Sequence, residues 1–153
     1  MHMTTYKFGV KIFVTNPAKL NLQDFIPVFH GWIQQQKIAG HQLIDVHDYS
    51  HVHHGPGILL VAHEGNFSLD EADGRLGLVY IRKQPGTLRE TVDIAFAAAR
   101  LLDGVKFETG TFEVFCNDRL ATPTAAEIAE ATGGKVTPKP GDPRERLTFV
   151  VKR

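Results

Sequence analysis

Ile58-Leu59-Leu60-Val61-Ala62-His63-Glu64-Gly65-Asn66-Phe67-Ser68-Leu69-Asp70-Glu71-Ala72-Asp73-Gly74-Arg75-Leu76-Gly77-Leu78-Val79-Tyr80-Ile81-Arg82-Lys83 is the stretch on which the fold turns. Its first seven residues are a nearly continuous apolar run between Gly55-Pro56-Gly57 and Gly65, and runs of that length read as buried strands. Residues 67–70 extend the strand past a bend at Gly65. Asp73-Gly74 is the strongest hairpin signal in the chain. Residues 76–83 form the return strand, with Leu76, Leu78 and Tyr80 on one face and Val79 and Ile81 on the other. A hairpin makes these strands antiparallel neighbours.

The flanking sequence supplies helices to cover such a sheet. Residues 6–14 alternate apolar Phe8, Val10, Ile12 and Val14 with smaller or polar positions, the pattern of a half-buried strand. Leu22, Phe25, Ile26, Phe29, Trp32 and Ile33 recur at helical spacing, with Asn21 or Asp24 as cap, Pro27 tolerated in the first turn and Gly40 as the stop. A short strand at 42–46 precedes the histidine-rich loop. Thr87-Leu88-Arg89-Glu90 has the form of a capping box, opening a helix whose stripe is Leu88, Val92, Ala95, Phe96, Ala99 and Leu102. Residues 112–117 read as a strand, a second capping box at Thr124 and Glu127 opens a short helix, and residues 147–151 close the sheet. Between them Pro138, Pro140 and Pro143 make a stiff connection whose basic side chains, Lys139 among them, read as solvated. The order β-α-β-β-β-α-β-α-β predicts a single α+β domain over residues 1–153. Its sheet is mostly antiparallel with helices on one face, in a split βαβ arrangement related to the ferredoxin-like fold.

Composition narrows the function classes. The 153 residues are 42% hydrophobic and 22% charged, the range of ordinary globular proteins. Seventeen basic residues balance seventeen acidic ones, so no net field favours nucleic acid or an anionic membrane, and neither is expected as a partner. The single cysteine, Cys116, excludes an internal disulfide and suits a reducing compartment. No apolar run approaches a membrane span and no signal peptide is visible, so a cytoplasmic location is expected. Several signatures fail by spelling: His63-Glu64-Gly65-Asn66-Phe67 lacks the second histidine of a zinc-protease helix, no serine elbow exists, and Gly133-Gly134-Lys135-Val136 is not a phosphate loop.

What remains is histidine. Six of the eight histidines fall between His41 and His63. Histidine titrates near neutral pH and is the commonest metal ligand, so a local excess points to chemistry. Tyr49, His51, His63, Glu64 and Tyr80 are the candidate ligand-binding residues, giving donors, acceptors and an acid–base pair in a polar pocket beside the central hairpin. His63 and Glu64 end an apolar strand, so one of them should point inward and take Tyr49, His51 or Arg82 as its partner. The Gly55-Pro56-Gly57 turn would let the backbone approach a ligand closely. A metal is the lesser alternative, with His51, His53 and His63 converging on zinc or another divalent ion; no cofactor is otherwise expected. The expected function is thus small-molecule binding or catalysis. Its rival is a homodimeric interaction module with incidental histidines, suggested by the alanine-rich helix and an uncovered sheet face.

Asp48-Tyr49-Ser50-His51-Val52, Gly55-Pro56-Gly57 and His63-Glu64 together resemble the central motif of a group of small bacterial proteins of uncharacterised function. The resemblance covers the middle third of the chain. It implies a bacterial source and carries no activity or cofactor.

Overall fold

The computed structural model describes residues 7–52, 55–116, 123–139 and 147–153. Eight strands form one antiparallel sheet: β1 (Phe8–Val14), β2 (Leu43–Tyr49), β3 (Gly57–Ala62), β4 (Gly65–Asp70), β5 (Gly77–Arg82), β6 (Phe107–Cys116), β7 (Lys135–Pro138) and β8 (Leu147–Lys152). Their spatial order is β2-β3-β4-β5-β1-β6-β8-β7. Three helices, α1 (Phe25–Gln35), α2 (Leu88–Arg100) and α3 (Ala125–Thr132), connect them.

The α+β expectation holds, and the connectivity explains it. Strands β5 and β6 flank β1 and pair with it antiparallel, so they run parallel to one another and α2 links them as a split βαβ unit. Strands β6 and β7 flank β8 in the same way and are linked by α3. Helix α1 links β1 to β2 across β3, β4 and β5, so the sheet is wider than a four-stranded ferredoxin-like one.

Cross-strand register sorts the side chains onto two faces. Residues directly opposite in an antiparallel pair share a face, which groups Leu60, Phe67, Tyr80, Val10, Val114 and Phe149 in one row across the sheet. All are buried beneath the helices. Phe29 and Trp32 of α1 pack ring to ring at 5.1 Å, and Phe96 of α2 meets Phe112 edge-on at 5.4 Å. Each such aromatic or branched side chain contributes about 1.5–3 kcal/mol by leaving water. The alanines of α2, Ala95, Ala98 and Ala99, are buried, and the helix packs on β1, β5 and α3 within the same chain. That stripe is therefore spent inside the subunit.

Several boundaries differ from the sequence expectation for local reasons. The run from Ile58 stops at Ala62 and turns back at His63-Glu64, so residues 65–70 are a separate strand, hydrogen-bonded to β3 rather than extending it. Strand β2 continues to Tyr49, which brings His47 into the sheet. Helix α1 ends before Gln36, a left-handed residue with φ 45°, and Gly40 lies in a later turn. The Thr87 hydroxyl accepts from the Glu90 amide as expected, but the Glu90 carboxylate faces Arg82 at 3.8 Å instead of closing the box. The Thr124–Glu127 box is complete. Residues 135–138, expected as connection, add the edge strand β7.

Candidate functional site

The five candidate residues separate into two groups at opposite ends of the β2–β3 hairpin. Tyr49 is the last residue of β2 and pairs with Gly57, and His51 stands exposed in the turn that follows. His63 follows Ala62 at the far end of β3, where its amide donates to the Gln42 carbonyl at 2.9 Å. The six residues of β3 hold the two ends about 20 Å apart at the usual strand rise. The pocket expected from all five residues therefore does not form as one constellation. The same separation keeps His51 from meeting His63 on a metal ion, and His53 lies outside the described residues. Among the described residues no cluster of three or more His, Cys, Asp or Glu side chains has the arrangement of a metal site.

The far end does gather a polar group, around a histidine the sequence reading passed over. His41 is buried in the connection between α1 and β2, with its ring edge-on to Phe67 and to Tyr80, each at 5.5 Å. Its Nε2 lies 2.7 Å from the Tyr80 hydroxyl and its Nδ1 3.0 Å from the Ala39 carbonyl. A carbonyl only accepts, so Nδ1 carries the proton, and in the neutral ring Nε2 accepts from the Tyr80 O–H. Tyr80 is fully covered and stacks on Phe67 at 4.5 Å; burial pushes its phenol up to about 12. The hydrogen bond and the edge-on ring contact thus hold the His41 imidazole and the Tyr80 phenol in fixed orientation.

Glu64 sits in the β3–β4 turn beside this pair. Its Oε1 accepts the Gln42 amide at 2.7 Å, and that hydrogen bond holds its carboxyl below the usual range, with the nearby His41 and His63 acting in the same direction. Lys83 reaches the same corner, donating to the Ala62 carbonyl at 2.7 Å. The expectation that His63 or Glu64 would point inward toward Tyr49, His51 or Arg82 is corrected here. The strand ends one residue before His63, so His63 is exposed and Glu64 is engaged by Gln42. Arg82 is turned to the Gln84 carbonyl and to Glu90.

Gly57 shows why the Gly-Pro-Gly turn exists. It has φ 65°, and a Cβ there would overlap the Leu69 carbonyl of β4. The close approach expected for a ligand is made by the chain's own neighbouring strand.

The helix-free face carries a second feature that sequence reading missed. Lys11 and Glu113 are buried and sit directly opposite each other on β1 and β6. Lys11 Nζ reaches Asp70 at 3.5 Å and donates to the Ala72 carbonyl at 3.3 Å, while Lys139 meets Glu113 at 3.1 Å. Charges therefore alternate Asp70, Lys11, Glu113, Lys139 across the sheet, and Lys139 is part of the structure rather than of a solvated loop. The signal available was a lysine between Val10 and Ile12 in an otherwise apolar strand. Its partner 59 positions away leaves no trace in local spacing.

Compared with known proteins, the chain matches no protein-family model and no curated protein sequence.

Proposed function

We propose that the chain is a small-molecule-binding domain whose site is the corner formed by His41-Gln42, His63-Glu64 and Lys83. The observation that carries this reading is the Glu64 carboxylate, kept ionised by the Gln42 amide and flanked by two imidazoles, one of them immobilised through Tyr80. A charge held by backbone at the rim of a rigid sheet is pre-organised for recognition. Oε1 of Glu64 accepts the Gln42 amide; the chemistry the carboxylate offers is that of an acceptor for a small ligand bearing an amine or another cationic donor. Both nitrogens of His41 are taken by protein atoms, so His63, exposed at the same turn, is the imidazole open to a ligand. A thermal-shift screen of small amines and zwitterionic metabolites tests this. A ligand that raises the midpoint should lose its effect in Glu64→Gln and keep it in His51→Ala. A hit indifferent to Glu64 would place the site elsewhere, and no hit among such ligands would sink the reading. We further propose a reducing, cytoplasmic location, which rests on the lone cysteine, and a bacterial source, which rests on the resemblance of the central motif.

One observation favours a second reading, the homodimeric module. Leu59, Val61, Ile81 and Val150 lie half-buried on the face without helices. A second copy covering that face would bury them. Light scattering of the 17.0 kDa chain at micromolar concentration decides: a dimer mass supports the module, a monomer mass removes it.

A further inference from the structure

The two edges of the sheet are β2 and β7. An edge strand offers a row of backbone groups to any extended chain, and proteins blunt such edges by brevity, proline, charge or bulges. Strand β7 is four residues long, begins with Lys135 and ends with Pro138. Strand β2 has seven residues, and Ile44, Tyr49 and Val52 along it and its turn are 53%, 37% and 43% exposed. By length and exposed apolar side chains β2 offers more to a pairing strand than β7 does.

Backbone groups of Leu43 and Val46 are nonetheless engaged by side chains of the same chain. The Gln36 carboxamide meets Leu43 as a neighbouring strand would: Leu43 N–H donates to Oε1 at 3.0 Å, and Nε2 donates to the Leu43 carbonyl at 3.0 Å. Gln36 does this from the left-handed region, and among the described residues it is the one non-glycine with positive φ. A strained residue that delivers a specific contact is a device rather than an accident of packing. Next, a bulge between Leu43 and Asp45 breaks the register at Ile44. Beyond it, the Val46 N–H donates to Asp45 Oδ1 at 2.8 Å, and the Ser50 N–H donates to Asp48 Oδ1 at 2.9 Å. An approaching strand would find the Leu43 and Val46 amides already engaged, and the Ser50 amide turned back onto Asp48 where the strand ends.

We infer that Gln36, Asp45 and Asp48 close the β2 edge against a second copy of this chain. Any self-association of the native protein then uses another surface, and removing the three caps turns β2 into a pairing edge. The test compares the full-length chain with Gln36→Gly/Asp45→Val/Asp48→Val by light scattering and sedimentation over a concentration series, with circular dichroism to follow folding. Glycine accepts the φ of Gln36 while deleting its carboxamide. His47→Val serves as control, since it adds a β-branched apolar residue to the same edge without removing a cap. The expected result is at least a twofold rise in mass for the triple variant and the wild-type mass for the control. A folded triple variant that keeps the wild-type mass overturns the inference, as does a control that associates equally. Should the triple variant lack a cooperative melt, Asp45→Val alone reads the same property, and an unchanged mass there also overturns it.

Discussion

At the open end of the β2–β3 hairpin, His41 and Tyr80 lie buried and hydrogen-bonded to each other, with Glu64 held beside them by a backbone amide. At its turn, Tyr49 and His51 are exposed, and the backbone of Gly57 takes a left-handed conformation. The two ends are built from the same residue types. They differ in what surrounds them: the open end is roofed by the α1–β2 connection and floored by Phe67, whereas the turn projects past the last pair of the sheet. A histidine contributes through the partners that fix it, so the exposed His51 of the turn counts for less than the buried His41 in the connection.

The contrast can be broken first at Gly57. Alanine there must adopt a left-handed backbone and push against the Leu69 carbonyl. Strain and overpacking together should cost about 2–5 kcal/mol, read from denaturant melts. A neutral Gly57→Ala would mean that β3 and β4 do not approach as described.

His41→Ala follows. It strips the Tyr80 hydroxyl of its acceptor in a buried site, which should destabilise by about 1–3 kcal/mol. A loss below about 0.5 kcal/mol, the level of surface substitutions, would erase the distinction between the two ends.

The third test is alkaline pH. The folded phenol of Tyr80 titrates near 12, above its unfolded value of about 10. A raised folded value contributes stability that is complete below the unfolded one and is lost as pH rises through the folded one. The midpoint should therefore fall between about pH 10 and about 12, and Tyr80→Phe should flatten that limb. A limb unchanged in Tyr80→Phe would assign it to another group.

Smallest are the exposed imidazoles. His51→Ala and His63→Ala should each change stability by less than about 0.5 kcal/mol. Equality of these two beside a damaging His41→Ala sharpens the comparison; a damaging His51→Ala reverses it.

Legibility in the sequence followed the range of the interaction. Periodicity identified the stripe from Leu88 to Leu102 because every turn of that helix repeats the same burial. The Thr124–Glu127 box was legible because its hydrogen bonds join residues three apart. The turn at His63-Glu64 was not, since nothing in an apolar run followed by polar residues says whether the strand continues or reverses. The candidate site was read from adjacency, and adjacency failed. His51 and His63 look close along the chain but lie at opposite ends of β3, while His41 and Tyr80, 39 positions apart, share a hydrogen bond.

By itself the sequence determined the class of the fold, the helix starts and the two-sided patterning of the central strands, because those depend on contacts within a few residues. Tertiary structure alone decided which imidazole is buried, that Lys11 and Asp70 pair across the sheet, and that Gln36 turns back to cap Leu43. Each of these depends on the strand order β2-β3-β4-β5-β1-β6-β8-β7, which sets the neighbours of every side chain and which no local pattern encodes.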